Sequence, residues 1–173
     1  MSDNKPPVYD KRFISQIIDS SLTTDYELQR ICDILGIDVF PIGFKDVVID
    51  NFRNYLMQNG LDDSVNYSMI LNLQDYGEGN GTHWVALFCP KGADYNLYFD
   101  SFGQPPPSNI EDISEDMGRK LYYQTNQIQK LQSGGCGQYC VLFLYYMNFY
   151  KPKLDRLKVA QLFTDKFTNY SKK

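Results

Sequence analysis

The sequence is short of the residues that crowd a metal or redox centre: it holds one histidine, one tryptophan and four cysteines in 173 residues. The cysteines, at 32, 89, 136 and 140, are too few and too scattered for a disulfide scaffold. A zinc site would have only His83 to add to them, so no metal or other cofactor is expected. No membrane span is expected either. The longest apolar run, Cys140 to Met147, contains two tyrosines and falls far short of the ~20 residues that a span needs. The N-terminal Met-Ser-Asp-Asn-Lys-Pro-Pro has no apolar signal-peptide core, so an intracellular protein is expected. Basic charge is also in deficit, 17 Lys and Arg against 21 Asp and Glu, for a net charge of −4. That balance argues against nucleic acid as a partner. The basic residues Lys151, Lys153, Arg156, Lys158, Lys172 and Lys173 read as the solvated face of a last helix.

What is present is a globular composition, 43% hydrophobic, with fourteen tyrosines and eleven phenylalanines. The length fits one domain, residues 1–173, in which 1–8 form a loose Pro-containing tail. Thr24-Asp25-Tyr26-Glu27 has capping-box spacing and opens a helix that Gly36 stops. Residues 40–43 read as a short extended piece or turn, and 47–57 as a helix ended by Asn59-Gly60. A strand over 68–73 leads into a glycine-rich loop, 75–82. Two β-rich runs, 84–89 and 95–100, form a hairpin around 90–94. A short helix over 109–117, a strand over 121–125 and a terminal helix over 154–168 complete an α+β order, with helices around a small sheet.

The chemistry gathers at Ser133-Gly134-Gly135-Cys136-Gly137. The apolar run from Val141 to Tyr150 reads as a buried helix with Cys136 in its first turn. There the unpaired N–H groups and the helix dipole favour thiolate, the nucleophilic form. His83 is the one candidate base of near-neutral pKa; it follows the glycine-rich loop and enters a strand. If Lys91-Gly92 form a two-residue turn, paired hairpin residues sum to 183 and His83 lies opposite Asp100. A carboxylate there would fix the imidazole tautomer; otherwise Asp100 is a strand-end residue bonded to the turn Ser101-Phe102-Gly103. An oxyanion donor could be the Cys136 N–H and any of Gln124, Gln127, Gln129 and Gln132. Cys32, Cys89 and Cys140 read as small core residues.

Gly81-Thr82-His83-Trp84, Tyr98-Phe99-Asp100-Ser101-Phe102-Gly103, Gln129 and Ser133-Gly134-Gly135-Cys136-Gly137 together resemble the adenovirus-type viral maturation proteases and the related SUMO-specific proteases. The shared pattern is His followed by Trp, an acidic residue seventeen positions after the His, and a Gln a few residues before a Cys-Gly, seven before it in the adenovirus-type enzymes. The string Thr125-Asn126-Gln127-Ile128-Gln129 selects Gln129. The resemblance implies a papain-like α+β fold in permuted order His, Asp, Cys. It implies Cys136 as nucleophile, His83 as base, Asp100 as orienter and Gln129 as oxyanion donor, with Trp84 and Gly135 at the substrate groove. The packing alternative for Trp84, a core tryptophan on the sheet, is compatible with that role.

The implied function is a viral cysteine endopeptidase that cleaves capsid or core precursors at Gly-containing sites, as a monomer in the infected cell and virion. The alternatives are a SUMO-type isopeptidase and a capsid-binding module without activity. Adenovirus-type enzymes can be activated by a disulfide-linked peptide and by DNA. Neither is carried over, because the region around Gly118 has no cysteine and the chain is acidic.

Overall fold

The computed structural model describes residues 12, 16, 24–74, 83–128, 135–150 and 154–171, the side chains of 167–171 excepted. The expected tail 1–8, the glycine-rich loop 75–82, Gln129, Gln132 and the basic residues 151, 153, 172 and 173 lie outside the described residues. The described elements are α1 (Asp25–Leu35), β1 (Gly43–Phe44), α2 (Lys45–Asn59), β2 (Tyr67–Asn72) and β3 (Trp84–Cys89), followed by β4 (Tyr95–Phe99), α3 (Ser108–Asp116), β5 (Lys120–Tyr123), α4 (Cys136–Phe149) and α5 (Arg156–Ser171). The strands form one five-stranded mixed sheet in the order β1-β2-β3-β4-β5. The central pairs β2–β3 and β3–β4 are antiparallel; the outer pairs β1–β2 and β4–β5 are parallel. The class is therefore α+β, as the element order implies.

Local chemistry sets the first helix. Thr24 Oγ1 accepts from the Glu27 N–H at 3.1 Å, and the Glu27 carboxylate accepts from the Thr24 N–H at 3.1 Å. This reciprocal capping box satisfies two donors that a helix start otherwise leaves open. At the far end Gly36 returns its N–H to the carbonyls of the last turn.

Helices cover both faces of the sheet. On one face Ile70, Trp84, Ala86, Phe88, Leu97 and Phe99 pack against α1, α4 and α5. On the other, Met69, Leu71, Val85, Leu87 and Tyr98 pack against Val48, Ile49 and Phe52 of α2 and Ile110 and Ile113 of α3. Every residue of β2 and β3 is buried, so these strands read as continuous apolar runs rather than as an alternation. Helix α4 is buried from Gly137 to Met147 on all sides, and Phe143 stacks on Phe99 at 4.8 Å. A helix with no polar face must sit between layers, and α4 lies between β3, α1 and α5.

The hairpin register differs from the expected one. Ala86 pairs with Phe99, Leu87 with Tyr98 and Phe88 with Leu97, so partners sum to 185 rather than 183. The connection is longer than a two-residue turn: it runs from Pro90 to Asp94, with the Ala93 N–H reaching back to the Pro90 carbonyl. A shift of two keeps each side chain on its face, because strand side chains repeat every two residues.

Candidate active site

Cys136 is the first residue of α4, in the position where backbone N–H groups have no acceptor within the helix. Gly135 precedes it at φ 110°, a conformation that a side chain disfavours, and so turns the incoming chain sharply into the helix. The thiol sulfur meets β3: the Trp84 N–H donates to Cys136 Sγ at 3.4 Å. His83, immediately before β3, is thereby brought beside the thiol. The indole of Trp84 is only 7% exposed and belongs to the core, so its packing role is the one seen in the fold.

Asp100 immediately follows β4 and is 1% exposed. Its Oδ1 lies 2.7 Å from His83 Nε2 and also accepts the Phe102 N–H at 2.8 Å. Both readings of Asp100 therefore hold: it contacts the imidazole, and it bonds to its own turn. The contact is diagonal. Continued to the strand ends, the observed register sets His83 opposite Phe102, whose ring stacks on the imidazole with centroids 4.5 Å apart and planes 17° from parallel. The Asp100 carbonyl accepts from Gly103 N–H at 2.8 Å and from the Gln124 side-chain amide. Of the four candidate glutamines, Gln124 thus supports the acid's turn, and Gln127 is solvent-exposed. Gln129 and Gln132 are not among the described residues.

With Nε2 committed to Asp100, Nδ1 is the buried ring nitrogen left to Cys136, a contact of the kind that is commonly loose before substrate binds. Burial of His83 opposes its charged form, but hydrogen bonding and charge from Asp100 and Cys136 prevail and push its pKa up to about 9. Burial likewise acts to raise the Cys136 thiol. Hydrogen bonds from His83, Trp84 N–H and Gly137 N–H outweigh it and hold the thiol below its ordinary range. The other three thiols behave oppositely: burial pushes Cys32 and Cys89 up to about 12 and Cys140 well above the ordinary thiol range. Of the four thiols, Cys136 alone is shifted toward the thiolate form.

Phe102 is a site neighbour that the sequence reading did not assign, and Gln124, named there among four oxyanion candidates, instead bonds to the Asp100 carbonyl. Phe102 had a signal in the tight turn Asp100–Gly103; the Gln124 contact depends on where β5 ends. The turn packs closely on the chain after β5. Gly103 has φ 71°, and a Cβ there would lie 2.6 Å from the Thr125 carbonyl oxygen. The Ile128 N–H donates to the Ser101 carbonyl at 2.9 Å. Among the described residues, no group of three or more His, Cys, Asp or Glu side chains could hold a metal ion, and no helix is long and apolar enough to cross a membrane.

No family model matches the sequence. Over 121 residues the chain is 28% identical to an Acanthamoeba polyphaga mimivirus protein named "Putative thiol protease R355"; the match covers 64% of this chain and 40% of that protein. The chain thus spans about two fifths of the length of this relative. Among solved structures, the ASFV pS273R protease superposes with a TM-score of 0.56 at 16% identity, over 90% of this chain and 67% of that one. The SUMO protease Ulp1 superposes with a TM-score of 0.51 at 13% identity, over 94% and 84%. The chain has the α+β fold of these two proteases.

Proposed function

We propose that this chain is a cysteine protease domain in which Cys136 attacks a peptide carbonyl as thiolate, with His83 as its acid and base and Asp100 holding the ring. The observation that carries this reading is the meeting of His83, Asp100 and Cys136 from three separate elements, with the Nε2–Oδ1 contact at 2.7 Å. Attack forms a thioester through a tetrahedral intermediate, whose oxyanion the Cys136 N–H and Gln129 would stabilise. The His83 imidazolium gives its proton to the departing amine. The neutral ring then takes one from water, which cleaves the thioester and restores the thiolate. Trp84 and Gly135 would border the groove for the residues at the scissile bond.

For substrate, viral capsid or core precursors cut at Gly-containing sites are the first reading, supported by the likeness to a mimivirus protein with a thiol-protease name and to the ASFV protease. A SUMO-type isopeptidase is the second, supported by the Ulp1 likeness, which extends over 94% of this chain. Incubation with candidate precursors and with a SUMO-type electrophilic probe separates the two. Cleavage that disappears in Cys136→Ala supports the protease, and labelling of Cys136 by the probe supports the isopeptidase. Equal cleavage by native protein and Cys136→Ala would remove Cys136 from the chemistry. A Cys136 no more reactive than a free cysteine would favour a binding module that retains only the fold.

A further inference from the structure

We propose that Phe102 is a positioning residue, whose ring and backbone N–H together hold the His83 imidazole with Nε2 on Asp100 and Nδ1 toward Cys136. This assignment rests on the reading of His83 as the base. The geometry gives Phe102 two independent grips on one site. Its ring covers the imidazole face at 4.5 Å and 17°, which opposes rotation of the imidazole out of its plane. Its N–H donates to the same Asp100 Oδ1 that receives His83 Nε2, so the carboxylate cannot turn without breaking both bonds. The other carboxylate oxygen, Oδ2, is buried and has no hydrogen-bond partner among the described residues, so the described bonds that orient the group are both on Oδ1. Phe102 itself is only half-buried, which makes its ring more than core filling.

The backbone around Phe102 is fixed. Gly103 N–H and the Gln124 amide both donate to the Asp100 carbonyl, and Ile128 N–H donates to Ser101. The turn is therefore tied to the segment 124–128 as well as to β4. A ring carried on so constrained a turn can act as a fixed wall for the imidazole. An aromatic face also favours an imidazolium over a neutral ring, in the direction that the acid step requires.

Because His83 is the only histidine, nuclear magnetic resonance follows its ring without assignment ambiguity. In the unaltered protein its ring protons should be shifted upfield by the Phe102 ring current; random-coil shifts would overturn the proposal without any variant. Phe102→Leu should lower the midpoint of the imidazole titration and slow iodoacetamide alkylation of Cys136 at about pH 7 by about threefold to tenfold. Phe102→Tyr, which restores the ring, should return both to within about twofold of the original. Unchanged values in Phe102→Leu, or equal losses in Phe102→Tyr, would overturn it. Should the Leu variant not fold, Phe102→Met serves in its place. An inert Cys136 in the unaltered protein would sink the protease reading, whereas the ring-current and titration measurements still decide the role of Phe102.

Discussion

Asp100 uses one carboxylate oxygen for two donors, His83 Nε2 and Phe102 N–H, and this asymmetry decides how its variants should behave. Asparagine has an oxygen that can accept both bonds but carries no charge. Asp100→Asn is therefore expected to retain the ring's orientation while lowering the His83 pKa from about 9 toward the ordinary histidine value. In the proposed mechanism the imidazolium is the acid, so activity in the unaltered protein should fall as pH rises through about 9, and the variant's alkaline limb should lie at lower pH. Asp100→Ala loses both bonds and should cost on the order of 10²-fold or more in kcat/KM. Profiles of kcat/KM against pH on an identified substrate check this; an alkaline limb that stays in place in Asp100→Asn would exclude the carboxylate as the source of the shift. The same raised pKa has a stability consequence. The His83–Asp100 contribution is fully present below about pH 6.5 and is lost as pH rises through about 9.

At the scale of elements, the hairpin and α4 were legible in the sequence, whereas the joint between them was not. Strand β3 matched its expected bounds, and β4 ended at Phe99, one residue earlier than expected, because β-branched and aromatic runs bounded by turn residues are a local signal. The register was set by a turn longer than two residues, and an even error left His83 and Asp100 able to meet. The two-residue strand β1 is held by pairing with β2, nearly thirty residues later, a contact with no local trace. The joint at Gly103 is likewise tertiary, since the crowding atoms belong to Thr125 and Asn126. Gly103→Ala meets a positive φ and backbone that cannot swing aside, and is expected to destabilise the fold by about 2–4 kcal/mol. Urea unfolding measures this. A loss under about 1 kcal/mol would mean that the turn can move off the 125–126 segment, and the clamp described for Asp100 would be weaker than its geometry implies.

Over the whole molecule, distant segments are joined by a buried guanidinium that gives no sequence signal. Arg119, between α3 and β5, is 7% exposed; its Nη1 donates to the Pro90 carbonyl at 2.9 Å and to Asn96 Oδ1 at 3.3 Å. Its Nη2 reaches Asp63 at 2.9 Å, but the Asp63 side chain is 70% exposed, so water replaces that half of the contact readily. The two buried acceptors decide the energetics. Arg119→Met leaves them unsatisfied and should cost about 2–4 kcal/mol in thermal or urea unfolding; Arg119→Lys should recover only part. A change within about 0.5 kcal/mol would show that the tie is dispensable. Sequence reading reached His83 and Cys136 more readily than this frame because histidine and cysteine are scarce, with one and four copies, whereas Asp100, one of 21 acidic residues, was reached through the hairpin. An arginine among seventeen basic residues is not scarce.

The four thiols divide in a way that gives the protein two separate clocks. Cys136 stands half-exposed at the mouth of α4, while Cys32, Cys89 and Cys140 are wholly enclosed by the packed layers. An alkylating reagent added to the native protein reads the first as the state of the His83–Cys136 pair and the other three as openings of the core. Damage confined to the site slows the first clock, and a weakened frame quickens the second. A variant that touches both, such as Gly103→Ala, should change both.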